Sequence, residues 1–169
     1  SGIFIGNGLW KSRELPIEGA DKPDVIRGVE YLKVLGESRQ WKIEKKLVVI
    51  GGGNVAFDVA RSSLRNGAKE VTMIVLESRD EQTADEFEIE DGTEEGITMV
   101  NRVAPIKIER NSDGKICGVR VQEIVKLFDS EKRFSPDLVP NAQYVIPCDS
   151  VALAIGQSMD MSLFNGWDK

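Results

Sequence analysis

Histidine is absent from the 169-residue sequence, and only two cysteines occur, Cys117 and Cys148. The absence of histidine excludes a Ser-His-Asp triad, a Cys-His nucleophile pair and every histidine-ligated metal site. The two cysteines stand far apart in sequence and form no Cys-x-x-Cys motif, so neither a zinc site nor an iron–sulfur cluster is supported. We expect both cysteines to be buried free thiols, and we expect no metal.

The sequence also lacks long apolar runs and an excess of positive charge. No run approaches the roughly 18 residues of a membrane span, and no signal peptide opens the chain. Asp and Glu number 28 against 22 Lys and Arg, a net charge of −6, whereas a nucleic-acid surface normally carries a basic excess. We therefore expect a cytoplasmic protein that binds neither a membrane nor nucleic acid.

The most informative stretch, residues 46–65, reads KLVVIGGGNVAFDVARSSLR. The apolar, β-branched run at residues 47–50 predicts a buried strand, and apolar residues at helical spacing follow it. Between them, Gly51, Gly53 and Ala56 fit the Gly-x-Gly-x-x-Gly/Ala pattern of dinucleotide-binding turns. In such turns a helix N-terminus offers N–H groups and a partial positive charge to a pyrophosphate. The alternative is a glycine-rich turn that serves only tight packing.

A second buried strand is predicted over residues 70–76, which completes a right-handed βαβ unit. Glu77 follows this strand, at the tip where such folds bind the adenosine ribose, and its carboxylate can accept hydrogen bonds from the ribose hydroxyls. It would repel the 2′-phosphate of NADPH by about 1 kcal/mol in water and about 4 kcal/mol at an effective dielectric of about 20. Arg79 acts in the opposite direction, since a guanidinium can bind a phosphate. On balance the sequence favours NADH over NADPH.

The remaining segments predict a helix before this unit and mostly β structure after it. The helix is expected over residues 24–39, and a strand over residues 97–103. A two-residue period then predicts an antiparallel hairpin or meander, a loop with two prolines at residues 135–141, and a closing pair of strands at residues 143–147 and 150–156. The predicted fold class is α/β, a Rossmann-like nucleotide-binding domain with a central parallel sheet and an antiparallel β excursion.

Five stretches carry a resemblance to a known family. They read, in chain order, GIFIGNG, KLVVIGGGNVAFDVAR, EVTMIVLESRDE, APIKI and CDSVALAIGQSMD. In this order they resemble the small subunit of glutamate synthase and related flavin-dependent NAD(P)H oxidoreductases. The resemblance implies a nicotinamide-nucleotide domain inserted into a larger domain that binds FAD. It also implies that reducing equivalents pass from NAD(P)H to the flavin and then, often through iron–sulfur clusters, to another subunit or domain.

The resemblance further implies roles for individual residues. The pyrophosphate would be held by the glycine turn and the start of the next helix, at Gly51, Gly52, Gly53, Asn54, Val55 and Ala56. Gly156 and Gln157 would lie near the cofactor at the carboxyl edge of the sheet. Since hydride transfer takes place between two cofactors, we name no catalytic residue. The family commonly has a Tyr-Arg-Arg run after the second strand, and Val75, Leu76 and Glu77 stand there instead, which again favours NADH.

The resemblance divides the chain into three segments. Residues 1–23 would form the segment leaving the FAD domain and a linker, residues 24–156 the NAD(P)H-binding domain, and residues 157–169 the segment returning to the FAD domain. With the FAD domain absent, the fragment would bind NADH or NADPH but not FAD, and would not be catalytically competent by itself. The expected partners are the FAD domain of the same chain and a large subunit or an iron–sulfur electron acceptor.

Two alternative functions stay open. One is a stand-alone NAD(P)-dependent dehydrogenase, which the absence of histidine and of a Tyr/Lys or Ser/Tyr catalytic set disfavours. The other is a non-catalytic domain that senses NAD(H) and changes its contacts with a partner. Bound flavin would distinguish these two alternatives from a flavin-dependent oxidoreductase. Only in the flavin-dependent case should the intact protein be yellow and be reduced by NADH.

Overall fold

The computed structural model describes residues 2, 4–37, 41, 43–160 and 162. In chain order its strands and α-helices are β1 (Lys11–Ser12), β2 (Ile26–Arg27), α1 (Gly28–Gly36), β3 (Lys46–Ile50), α2 (Asn54–Arg65), β4 (Glu70–Val75), α3 (Glu86–Glu94), β5 (Thr98–Asn101), β6 (Val103–Arg110), β7 (Ile116–Phe128), β8 (Phe134–Pro147), β9 (Ser150–Leu153) and β10 (Gln157–Ser158). A five-stranded parallel sheet in the order β2-β9-β3-β4-β5 forms the centre. The predicted α/β class with a central parallel sheet is confirmed.

The predicted βαβ unit is present as β3, α2 and β4. The two strands pair in parallel, and α2 packs Ala56, Val59 and Ala60 on one face of the sheet, each with no exposed surface. Gly67, just beyond the helix, takes the left-handed conformation (φ 104°) that commonly ends helices. The unit places the glycine turn at the carboxyl end of the central strand, between β9 and β4.

A separate antiparallel sheet, in the order β6-β7-β8, covers the other face of the parallel sheet. Val48 and Ile74 pack with this sheet, whereas Leu47 and Val49 pack with the helices, as the alternation of side chains along a strand requires. The predicted strand at residues 97–103 is present as β5 in the parallel sheet, whereas Val103 already begins β6 of the antiparallel one. The antiparallel excursion is confirmed.

Two predictions for the last part of the chain are wrong. The predicted loop at residues 135–141 is part of β8, because β8 is the outer strand of its sheet and an edge can carry Pro136 and Pro140 without losing ladder hydrogen bonds. The predicted pairing of residues 143–147 with residues 150–156 also fails. Instead β8 pairs with β7, while β9 lies between β2 and β3.

The N-terminal region also differs from expectation. The predicted helix at residues 24–39 begins only at Gly28, after the short strand β2, and its residues 38 and 39 lie outside the described residues. Within the expected linker, Leu15, Ile17 and Ala20 pack into the core beneath the antiparallel sheet. Strand β1 pairs antiparallel with β10, so the two terminal segments run side by side. Residues 161 and 163–169 of the expected returning segment are not among those described.

The two cysteines, distant in sequence, are neighbours across two strands. The backbone N–H of Cys148 donates to the carbonyl of Cys117 over 3.4 Å. Burial raises the pKa of the Cys148 thiol to about 12, whereas Cys117 is exposed. The expectation of a buried thiol is therefore confirmed for Cys148 and wrong for Cys117.

Among the residues that the structure describes, none of the helices combines the length and the apolar character of a membrane span. The same part of the chain contains no group of three or more His, Cys, Asp or Glu side chains placed to hold a metal ion.

Candidate nucleotide-binding site

A cavity of about 620 Å³ opens at the carboxyl edge of the parallel sheet, the edge at which open α/β sheets bind ligands. It is bordered by the turns that follow three adjacent strands, β9, β3 and β4. Eight of the ten residues predicted for the site border it: Gly51, Gly52, Gly53, Asn54, Val55, Glu77, Gly156 and Gln157. The two that do not are Ala56 and Arg79.

Gly51 and Gly52 border this cavity, and neither has room for a side chain. A Cβ on Gly51 would lie 2.3 Å from the carbonyl oxygen of Ala154, and the φ of 138° there strongly favours glycine. A Cβ on Gly52 would lie 2.5 Å from Cγ1 of Val75. The amide of Gly51 also donates to the carbonyl of Ile74 over 3.0 Å. The turn is therefore fixed between its two neighbouring strands.

Gly53 differs from the two preceding glycines because the space beside it is open. The nearest atom to a Cβ placed there is Oγ1 of Thr83, 3.9 Å away. Gly53 is the residue that precedes α2, and no described side chain caps that helix end. Helix N-termini carry unpaired N–H groups and a partial positive charge. Open space at such a point suits an anionic ligand.

Asn54, Val55 and Ala56 begin α2 and have three different surroundings. The Asn54 carboxamide is already engaged, since its Nδ2 donates to Asp85 over 2.7 Å and its Oδ1 accepts the Asp85 N–H over 2.9 Å. This pair of hydrogen bonds fastens the segment before α3 to the start of α2. Val55 borders the cavity, whereas Ala56 is fully buried behind the turn and lets the helix approach the sheet.

Glu77 lies where the sequence places it, at the tip of β4 and in the cavity wall. Its carbonyl accepts hydrogen bonds from the side chain of Asn101 over 3.0 Å and from the backbone N–H of Arg102 over 3.3 Å. Arg79 points elsewhere, because its guanidinium is paired with Glu86 at the start of α3. The structure thus brings the predicted acidic residue into the cavity and leaves the predicted cation out.

Arg102 is a cation near the β4 tip that sequence reasoning missed. It follows β5, takes a left-handed conformation (φ 59°) and forms an ion pair with Glu81 at 3.1 Å. No sequence motif marks an arginine between two strands as part of a binding site. Arg102 could have been found only by recognising that β5 ends beside β4 in the parallel sheet.

Gly156 and Gln157 border the opposite side of the cavity, after β9. Gly156 has a φ of 104°, and its carbonyl accepts the backbone N–H of Arg13 over 3.1 Å. Gln157 begins β10, which pairs with β1. The β9 tip is therefore joined directly to the crossing point of the two terminal segments.

An apolar wall completes the cavity, and the sequence analysis did not predict it. The wall consists of Leu15, Ala104, Pro105, Phe134 and Pro136. Phe134 is 61% exposed and packs edge to face on Phe128, with ring centroids 6.3 Å apart. These side chains come from the expected linker and from strands β6 and β8 of the antiparallel sheet, and the position of β8 in that sheet was not predicted.

The parallel sheet, the glycine turn and the acidic residue at the next strand tip define a Rossmann-like domain. The model of the pyridine nucleotide-disulphide oxidoreductase family matches residues 3–168. The chain therefore belongs to this family, in agreement with the resemblance seen in its motifs.

Three relatives illustrate the similarity. The chain is 39% identical over 170 residues to the NADP(+)-dependent formate dehydrogenase subunit beta of Moorella thermoacetica. It is 34% identical over 164 residues to the NADPH-Fe(3+) oxidoreductase subunit beta of Geobacter sulfurreducens, and 30% identical over 166 residues to the glutamate synthase [NADPH] small chain of Escherichia coli. These alignments cover 97%, 95% and 91% of the chain but only 24%, 24% and 35% of the relatives. The chain thus spans a quarter to a third of their length.

Solved structures show the same fold at low sequence identity. FprA from Mycobacterium tuberculosis in complex with NADPH superimposes with a TM-score of 0.71 at 16% identity, covering 89% of this chain and 48% of that one. The thioredoxin reductase of T. acidophilum gives a TM-score of 0.64 at 17% identity, covering 90% of this chain and 43% of that one.

Proposed function

We propose that this chain is the nicotinamide-nucleotide domain of a flavin-dependent oxidoreductase. It would bind NAD(P)H and present it to FAD held by another domain. One observation carries the proposal. The glycine turn is closed to side chains at Gly51 and Gly52 but open at Gly53, where it faces a cavity at the start of α2. Such a turn holds its own shape while leaving backbone N–H groups for a pyrophosphate.

The proposed site assigns one part of the dinucleotide to each strand tip. The backbone from Gly51 to Ala56 would hold the pyrophosphate. Asn54 would contribute indirectly, because its two hydrogen bonds to Asp85 fix the start of α2. Glu77 would bind the adenosine ribose, and Gly156 with Gln157 would lie beside the nicotinamide half. Arg79, which we had expected to compete with Glu77 for the phosphate, has no part in this arrangement.

NADH is the proposed preferred nucleotide. Glu77 borders the cavity at the tip of β4, and its carboxylate would repel a 2′-phosphate by about 1 to 4 kcal/mol, which would disfavour NADPH. The names of the three relatives carry NADPH or NADP(+). This chain would therefore differ from them in nucleotide choice, and the difference would arise at the tip of β4.

The terminal segments support the proposal that another domain is attached here. Residues 1–23 and 157–169 would leave and re-enter the FAD domain, and strands β1 and β10 already hold the two segments together. The described segments expose large apolar side chains, with Phe4, Leu9 and Trp10 on one and Met159 on the other. Exposed apolar side chains of this size would fit burial against a further domain. Electrons would then pass to a large subunit or an iron–sulfur acceptor.

The flavin would supply the acceptor position for hydride, and this chain would supply binding and orientation. The test is rapid anaerobic mixing of the intact flavin-containing protein with NADH, following the flavin absorbance. The proposal predicts bleaching whose rate saturates with NADH, and slower bleaching at low NADH for Gly53→Ala. Flavin that stays oxidised with either nucleotide would contradict it.

A further inference from the structure

We propose that the ion pair between Glu81 and Arg102 sets the nucleotide choice, because Glu81 keeps the Arg102 guanidinium from receiving the 2′-phosphate of NADPH. The inference rests on the proposed function and names the residues that regulate its specificity. It concerns a cation that lies beside the β4 tip without bordering the cavity.

Arg102 is tied to the same turn that presents Glu77. Its backbone N–H donates to the Glu77 carbonyl over 3.3 Å. Its guanidinium lies 3.1 Å from Glu81 through Nη2 and donates weakly through Nη1 to the carbonyl of Val125 over 3.4 Å. One third of the side chain (33%) is exposed. The guanidinium is therefore partly open to solvent and paired with one carboxylate, while the backbone of the same residue is anchored to Glu77, the proposed ribose ligand.

Glu81 is itself well fixed. It ends the short 3-10 helix Arg79–Glu81, and its Oε2 accepts the backbone N–H of Ser78 over 3.1 Å, the reciprocal half of a capping box. The hydrogen bond from Ser78 lowers the pKa of the Glu81 carboxyl. Glu81 is thus charged at neutral pH and orientated toward Arg102.

Both arginines that the structure describes at this tip, Arg79 and Arg102, are paired with carboxylates. Arg102 is held by Glu81, and Arg79 by Glu86. Glu77 adds a negative charge on the cavity wall. Removing the Glu81 charge would free the guanidinium of Arg102, whose backbone is hydrogen-bonded to Glu77. Removing the Glu86 charge would free that of Arg79, which is paired at the start of α3. Glu86→Gln is therefore the matched control for Glu81→Gln, because each substitution removes one carboxylate that is paired with an arginine.

The experiment compares Glu81→Gln, Glu86→Gln and the double variant Glu81→Gln with Arg102→Ala. Glutamine keeps the capping hydrogen bond to Ser78, since capping boxes accept either residue, and thermal unfolding checks that each variant folds. Dissociation constants for NADH and NADPH are measured by nucleotide fluorescence at one low salt concentration. The readout is the ratio of the two constants for each variant.

Glu81→Gln should tighten NADPH binding by about tenfold and leave NADH within about twofold, as expected for one charge-assisted contact. The double variant should return the ratio to the wild-type value, and Glu86→Gln should leave it unchanged. If the wild type binds NADH but Glu81→Gln does not move the ratio, the inference is wrong and the proposed function stands. The inference is equally wrong if Glu86→Gln moves the ratio as far. A folded wild type that binds neither nucleotide overturns both.

Discussion

The glycine turn after β3 and the tip of β4 lie side by side in the parallel sheet, yet they are built in opposite ways. The glycine turn is shaped by backbone and core atoms, with a Cβ at Gly51 meeting the Ala154 carbonyl at 2.3 Å. The β4 tip is shaped by charged side chains on the surface, such as the pairs of Glu81 with Arg102 and Glu86 with Arg79. Steric contacts of the first kind do not adapt, whereas exposed ion pairs are weak and exchangeable.

Because of this contrast, we expect the glycine turn and the β4 tip to control different properties of the site. In the proposed site, the glycine turn would decide whether a dinucleotide can be bound at all, because its backbone would hold the pyrophosphate. The β4 tip would decide which dinucleotide is bound, because its charges can change without disturbing the core. Substitutions in the turn should therefore affect folding or all binding, and substitutions at the tip should affect only selectivity.

The largest expected effect is that of Gly51→Ala. The new methyl group would collide with the Ala154 carbonyl, and alanine is strained at a φ of 138°. We expect a loss of about 3 kcal/mol or more in the free energy of unfolding, measured by denaturant titration. Gly36→Ala is the control, because no atom lies within 4 Å of a Cβ there. Equal stability of the two variants would mean that the turn is not sterically fixed.

Gly53→Ala should separate binding from folding within the same turn. Its backbone (φ −92°, ψ 176°) suits alanine, and no atom lies closer than 3.9 Å to the new methyl group. The free energy of unfolding should change by less than about 0.5 kcal/mol. Because the methyl group would occupy the space proposed for the pyrophosphate, affinity for both nucleotides should fall by about tenfold or more. Unchanged affinity in calorimetric titration would place the phosphate elsewhere.

Glu77→Ala should alter selectivity at the strand tip. Loss of the carboxylate removes the repulsion toward a 2′-phosphate and the hydrogen bonds to the ribose, so the preference for NADH should fall by about tenfold. Screening should reduce the effect at high salt. Glu70→Ala, at the other end of β4 and paired there with Lys46, is the control. A shift of the same size in Glu70→Ala would show that net charge alone is responsible.

The smallest expected effect comes from an ion pair away from the cavity, between Asp24 and Arg110. Two hydrogen bonds of 2.7 Å from Arg110 hold the pKa of the Asp24 carboxyl below its ordinary value of 3.8. The charged form is therefore the stabilising one, and its contribution is present above that value and is lost as the pH falls through the lowered pKa. Since the carboxylate is 48% exposed, Asp24→Asn should cost less than about 1 kcal/mol at neutral pH. Thermal unfolding should show the difference vanish in acid.

The sequence predicts the glycine turn better than any other part of the site, for a physical reason. A buried strand, a turn without side chains and an amphipathic helix each require particular residue types at fixed spacing, and residues 46–65 show all three. Glu77 was predictable in the same way, since it directly follows a buried strand. The parallel sheet follows from these elements, because a βαβ unit allows essentially one handedness.

The opposite side of the cavity could not be predicted, because it depends on which strands pair. Pro136 and Pro140 indicate a loop in sequence, and only the position of β8 at a sheet edge allows them in a strand. Phe134 enters the cavity wall as a consequence of that pairing. The ion pairs of Arg79 and Arg102 could not be predicted either. The carboxylate that each arginine contacts depends on the path of the chain between elements.

The most direct test of the central claim is calorimetric titration of the 169-residue chain with NADH and with NADPH in the same low-salt buffer, its fold checked by circular dichroism. The account predicts one saturable site per chain that binds NADH more tightly than NADPH. Tighter binding of NADPH would contradict the role given to Glu77. Absence of heat with either nucleotide from a folded chain would contradict the proposal that the glycine turn and its cavity bind a dinucleotide.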